Sequence, residues 1–202
     1  MLKRCLYLTK VAQVQIALTT SNNKSVPTTP IVCRDYLLAL SDKKFDYTIV
    51  CDGSGYTDHV GGFGAIILGN KNNTPVYETA YGCSTHMETG RAEFTAILTG
   101  LGALMDVKGW REDLKTLALF KKHILIISDR QDLVGSINNY YSRKANRDLW
   151  VSFEWYEKYF SIEAVHVKRE TVPMHQVADR MASELRMQLK AFEVVQKECG
   201  NL

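Results

Sequence analysis

Four carboxylates in this sequence stand where an acid is hard to explain as ordinary surface. Asp52 closes the apolar run Tyr47-Thr48-Ile49-Val50-Cys51, and Asp129 closes a second, Ile124-Leu125-Ile126-Ile127-Ser128. Glu93 stands one residue before an apolar stripe at helical spacing, and Asp179 falls between Ala178 and Met181-Ala182 in the opening turns of another. Carboxylates gathered in one place resist joint ionisation unless a cation compensates them. Hard divalent ions that prefer oxygen, Mg2+ or Mn2+, are the natural partners. Each acid alone also has an ordinary reading: Asp52-Gly53 as a turn, Glu93 as a helix N-terminal acid, Asp129 as an N-cap, Asp179 as a solvated helix acid. The functional reading rests on all four falling at the right ends of successive elements.

Those elements follow from the apolar pattern. Phe45 to Asp52 reads as a first strand ending at the turn Asp52-Gly53-Ser54-Gly55, Gly61 to Leu68 as a second, and Val76 to Cys83 as a third, with a loop at Asn70 to Pro75. Three β runs joined by Gly- or Asn-containing turns predict an antiparallel meander. The period then changes: Phe94, Ile97, Leu98, Leu101, Leu104 and Met105 predict an amphipathic helix over about 89–106. Ile124 to Ile127 is wholly apolar, as a strand buried on both faces would be. Helices are expected over Gln131 to Tyr141 and about 148–159, a fifth strand over Ser161 to Val167, and a long helix from about His175. The order βββαβααβα is that of an α/β fold. Ligands of open α/β sheets bind at the ends of neighbouring strands. If the first and fourth strands are neighbours, Asp52 and Asp129 lie side by side.

Four segments together resemble the ribonuclease H family. They are Cys51-Asp52-Gly53-Ser54-Gly55, Gly90-Arg91-Ala92-Glu93-Phe94-Thr95-Ala96, Ile127-Ser128-Asp129-Arg130-Gln131, and Val167-Lys168-Arg169-Glu170 with Val177-Ala178-Asp179-Arg180-Met181-Ala182. The last is most similar to the plant and retroelement branch. The resemblance spans about residues 45–195. It implies a ribonuclease H-like fold: a five-stranded mixed sheet, its first three strands antiparallel, flanked by helices. It also implies an endonuclease that uses two Mg2+ ions, with Mn2+ as a substitute, to cut the RNA strand of an RNA–DNA hybrid, leaving 5′-phosphate and 3′-hydroxyl ends. Carried over by residue, Asp52 would bridge the two ions, Asp179 would complete the one that activates water, and Glu93 and Asp129 would hold the one at the departing 3′ oxygen. Gly53, Ser54 and Arg91 lie within the matched segments as candidate substrate contacts.

The sequence departs from the family in two places. Bacterial members carry a Gly-His pair on the loop before the last acid, where this chain reads Arg169-Glu170-Thr171. His175 stands instead where the related branch has Asn, one helical turn before Asp179. An imidazole suits proton transfer or product release near neutral pH, and the same residue also reads as a polar side chain near a helix start. The Asn residues that many members use against RNA are replaced by Thr89-Gly90. Arg143, Lys144 and Arg147 interleave with Tyr140, Tyr141, Trp150 and Trp155, a mixture that can grip phosphates and pack on sugars. It equally suits a loop followed by a helix whose Trp enters the core. The stretch Val107 to His123 carries six basic or Trp residues and is longer than a minimal connection.

Composition limits the rest. No apolar run in the 202 residues approaches the roughly 18 a membrane span needs, so no membrane partner is expected. The net charge of +3 neither announces nor excludes nucleic acid. Its distribution is uneven: residues 1–45 hold seven Lys or Arg against two Asp, and the remainder is mildly acidic. Two units are therefore expected, a basic extension over 1–44 and the α/β domain over 45–202, with the polar break Ser21 to Pro30 as linker. The extension reads either as a mitochondrial-type presequence or as a small ordered addition with short strands. Five dispersed cysteines without a CxxC pair argue against a zinc site or disulfide framework. An intracellular, reducing setting, cytoplasmic or nucleoid-associated, is the expectation, with mitochondrial as the alternative. A nuclease of the same fold acting on structured DNA or double-stranded RNA, and a non-catalytic binding or assembly subunit, remain the competing functional readings.

Overall fold

The computed structural model describes residues 45–56, 60–71, 74–168 and 172–199. The basic extension over 1–44, and the Arg169-Glu170-Thr171 departure, lie outside the described residues. Five strands, β1 (Tyr47–Ser54), β2 (Val60–Lys71), β3 (Thr74–Thr85), β4 (Lys122–Ser128) and β5 (Phe160–His166), form one sheet in the order β3-β2-β1-β4-β5. β1 to β3 pair antiparallel, while β1–β4 and β4–β5 pair parallel. The expected α/β class, mixed sheet and meander are therefore present. The hairpin between β2 and β3 is tighter than the expected loop, because the strands run on to Lys71 and Thr74.

The helices are α1 (Thr89–Val107), α2 (Leu114–Leu119), α3 (Gln131–Ile137), α4 (Arg147–Glu157) and α5 (Pro173–Cys199). The unassigned stretch after α1 turns through a short 3-10 segment, Trp110–Glu112, into α2, whose first turn is capped by the Asp113 carboxylate accepting from Thr116 N–H at 3.1 Å. Successive side chains of a strand point to opposite faces, and both faces here are covered. Ile49, Cys51, Ala65, Ile67, Ile124 and Ile126 pack with α1 and α4 on one side. Val50, Ile66, Leu68, Leu125 and Ile127 pack with Ala178 of α5 and with Val172 just before it on the other. This double coverage is why β1 and β4 read as continuous apolar runs rather than alternating ones. Phe94 and Trp150 join α1 to α4 with ring centroids 4.4 Å apart. Trp150 is a core residue.

The seating of α5 explains the glycines of β2. A Cβ on Gly62 would meet the Ala182 carbonyl oxygen at 2.0 Å, and one on Gly64 would meet that of Ala178 at 3.0 Å. Strand and helix backbones touch there because small residues face each other on both. Pro173 opens the helix, where its fixed φ and missing N–H are harmless. None of the described helices is long and apolar enough to cross a membrane.

Candidate active site

The register of the sheet assembles the site. Val50 pairs with Ile127 in the parallel β1–β4 ladder, so two residues further along, Asp52 and Asp129 are neighbours at the carboxyl ends of both strands. By the alternation of each strand they project toward the α5 side, with Val50 and Ile127 beneath them. Asp52 is wholly buried and Asp129 partly so. α5 contributes His175, which is also wholly buried, with Nε2 3.7 Å from Asp129 Oδ1. Asp52, Asp129 and His175 each offer one ligand atom, all within 4.8 Å of one another.

Glu93 arrives from the opposite side of the sheet. Gly53 N–H donates to Asp52 Oδ1 and to Glu93 Oε2, both at 3.0 Å. That reach requires a glycine, since a Cβ at position 53 would lie 2.1 Å from Glu93 N. Burial first, then the charges of Asp52 and Asp129 and a shared hydrogen bond with Asp52, push the Glu93 carboxyl up to about 9 against the pull of Gly53 N–H. A proton is thus held between two buried acids in the absence of a cation. The thiol of Cys51 beside them is raised too, by burial and then by the charges of Glu93, Asp52 and Asp129; it is an inert core residue.

This arrangement tests the fit of a divalent ion. A buried carboxylate pair that must retain a proton to tolerate its own charge, set beside a third carboxylate and an imidazole within ligand reach, is the donor set such an ion would satisfy. The residues present fit the group. Asp179 lies one turn beyond His175 on α5, partly exposed and outside the 4.8 Å set.

The candidate substrate residues are placed as follows. Ser54 faces α5, its hydroxyl 3.5 Å from that of Ser183. Arg91 pairs with Asp148 across to α4. Arg143 forks onto Glu157 at 2.7 and 2.8 Å and lies over the Trp150 ring, 4.6 Å from its centroid. These contacts use the same donors a phosphate would. Lys144 and Arg147 are exposed. One contributor was invisible to sequence reasoning: His166, the last residue of β5, donates from Nε2 to the Asp129 carbonyl at 2.9 Å. Its only signal was its place at the end of a strand parallel to β4.

The chain matches the family model described as reverse transcriptase-like over residues 51–185, a span that holds every one of these acids. The chain belongs to this ribonuclease H-type family. No curated protein matches it, but solved structures do. The N-terminal ribonuclease H domain of a Mycobacterium tuberculosis protein superposes with a TM-score of 0.58 at 16% identity, over 73% of this chain and 97% of that one. A ribonuclease H1 (LC11) solved with an RNA/DNA hybrid gives 0.56 at 18% identity, over 71% and 98%. A foamy viral protease–reverse transcriptase solved with double-stranded DNA gives 0.51 at 14%, over 71% and 95%. At such identities the likeness establishes the ribonuclease H fold of this family member. The acid cluster is the family member's own.

Proposed function

We propose that the protein is a divalent-metal-dependent endonuclease that hydrolyses the RNA strand of RNA–DNA hybrids, leaving 5′-phosphate and 3′-hydroxyl ends. The observation that carries this reading is the buried Asp52–Glu93 pair, joined through Gly53 N–H, beside Asp129 and His175, whose ligand atoms lie within 4.8 Å of that of Asp52. Asp52, Glu93, Asp129 and Asp179 would hold two Mg2+ ions, or Mn2+ in their place. Such ions supply charge stabilisation to the entering and leaving oxygens of a phosphoryl displacement. The protein's own part is to hold the ligands before substrate arrives. Gly53 N–H orients Asp52 and Glu93 together, His166 fixes the Asp129 peptide, and His175 keeps to the Asp129 carboxylate. Ligand oxygens fixed by packing and hydrogen bonds need little reorganisation at the moment of reaction. Lys144 and Arg147, exposed beside the fold, are free to approach phosphates of the duplex.

The resemblance of the matched segments and the hybrid-bound ribonuclease H1 among the structural neighbours support the choice of substrate. Recognition of a hybrid demands 2′-hydroxyls on one strand and their absence on the other. The test is cleavage of a labelled hybrid in Mg2+ and then Mn2+, beside single-stranded RNA, double-stranded RNA, duplex DNA and the Asp129→Asn protein. Cutting of the hybrid alone, lost in the variant, is expected. Cutting of another substrate instead would reassign specificity. No cutting by folded protein would move the reading to a binding or assembly role.

A further inference from the structure

Arg130 follows Asp129 directly; its guanidinium feels the charges of Glu93 and Asp129, but its hydrogen bonds go elsewhere. Its Nε and Nη2 fork onto the Asp132 carboxylate at 2.8 and 3.1 Å, and its backbone N–H donates to Ser128 Oγ at 3.1 Å. Two of the three guanidinium nitrogens are thereby tied to a carboxylate two residues away, which fixes the plane. The third, Nη1, has no acceptor among the described residues. It lies against the first turn of α1, where a Cβ on Gly90 would meet it at 2.7 Å and Nη2 at 2.9 Å. Gly90 comes three residues before Glu93. The guanidinium is therefore wedged between the elements that carry Asp129 and Glu93, in the space that a side chain at position 90 would fill.

Stability does not account for this placement. Asp132 is 67% exposed, and an ion pair so open to water contributes on the order of 0–1 kcal/mol. What the fork to Asp132 does achieve is orientation of a planar, permanently charged group at the rim of a site rich in carboxylates. A polyanion approaching those carboxylates meets repulsion, and a fixed guanidinium beside them offsets it. Guanidinium donors match phosphate oxygens in geometry as well as in charge.

We infer that Arg130 is a substrate-binding residue whose guanidinium, positioned by Asp132 and by the open space at Gly90, contacts a backbone phosphate of the nucleic-acid strand lying in the acid site. The inference rests on the nucleic-acid reading of that site. Its test is built so that binding and cleavage are scored apart. Wild-type protein, Arg130→Gln and Arg130→Lys are titrated against a fluorescent RNA–DNA hybrid by anisotropy in EDTA, where nothing is cut, over about 50–200 mM KCl. One lost phosphate contact lowers the log–log salt slope by about 1. The expected result is roughly tenfold weaker binding and that slope change for Arg130→Gln, with Arg130→Lys recovering the slope but only part of the affinity.

On Mg2+-activated protein the same loss should appear in KM with kcat within twofold. In Arg130→Lys, which keeps the charge near Glu93 and Asp129, melting in EDTA and its response to Mn2+ should be unaltered, which a merely structural role would not predict. An unchanged slope and affinity in Arg130→Gln overturns the inference while leaving the nuclease reading intact. So does a fall in kcat with a shifted Mn2+ midpoint, which would make Arg130 a support for the acids instead. Failure of the wild type to cut any substrate while the slope change persists would overturn the nuclease reading alone. Absence of hybrid binding by the wild type overturns both.

Discussion

Replacing Gly53 by alanine tests the tightest joint in the site. The added Cβ would sit 2.1 Å from Glu93 N and 2.3 Å from the Ala92 carbonyl carbon, whereas ordinary contact begins at 3.4 Å. The difference between 3.4 and 2.1 requires β1 and α1 to part by about 1.3 Å. The obstructing atoms are backbone, so no change of rotamer relieves them. Overpacking of this kind typically destabilises by about 1–3 kcal/mol. The same movement breaks the 3.0 Å bond from Gly53 N–H to Glu93, and a buried hydrogen bond to a neutral acid contributes about 0.5–1.5 kcal/mol. Together these give a loss of roughly 1.5–4.5 kcal/mol, a large share of the 5–15 kcal/mol by which domains are stable. A misplacement near 1 Å at a reacting centre lowers turnover by about a hundredfold. Urea unfolding in EDTA measures the first quantity, and single-turnover cleavage of a hybrid at saturating Mg2+ measures the second. A variant destabilised by less than about 0.5 kcal/mol that cleaves at the wild-type rate would refute the claim that this contact sets the position of Glu93.

Other consequences follow from the same geometry. Glu93 keeps its proton to about 9 in the folded, metal-free protein, against 4.5 ordinarily. Between those values the folded state binds more protons than the unfolded one, so stability falls as pH rises through that window. Melting in EDTA should therefore drop from pH 5 to pH 9, Glu93→Gln should flatten the profile, and Mn2+ should stabilise more at pH 8 than at pH 6. Arg143→Ala removes a half-buried fork to Glu157 and a cation lying over Trp150. It should destabilise by about 1–2 kcal/mol in urea titrations, an effect independent of any phosphate it contacts. Phe94→Ala opens the α1–α4 contact and should lower stability by about 3–5 kcal/mol. Gly62→Ala, blocked by the Ala182 carbonyl, should displace α5 and weaken the Mn2+-dependent rise in melting temperature more than it weakens the metal-free fold.

Much of the site was legible because its residues sit at element ends that local pattern reveals. The apolar runs before Asp52 and Asp129 announced two strands buried on both faces, and the stripe from Phe94 to Met105 announced α1. The adjacency of β1 and β4 had to be supposed, since pairing between segments more than seventy residues apart leaves no trace in spacing. The same limit hid the partners of the basic residues. Arg91 meets Asp148 across 57 positions, and His166 reaches Asp129 across 37. The burial of His175 was hidden for another reason: at a helix start its type suggests solvent, and only the packing of α5 against β1 and β2 encloses it. The turn and short helix between α1 and β4 escaped because six helical residues are too few to show a period.

The strand order also governs when the centre can exist. β1 lies between β2 and β4, so its antiparallel neighbour is made at once and its parallel neighbour much later. Ribosomes add about 5–20 residues per second, and the stretch from Asp52 to His175 therefore takes on the order of 6–25 s to synthesise. Over most of that interval the hairpin and α1 can form before β4 brings Asp129, and His175 follows only with α5. A growing chain therefore carries the candidate site in parts, and the donor set is complete only once the last helix has emerged.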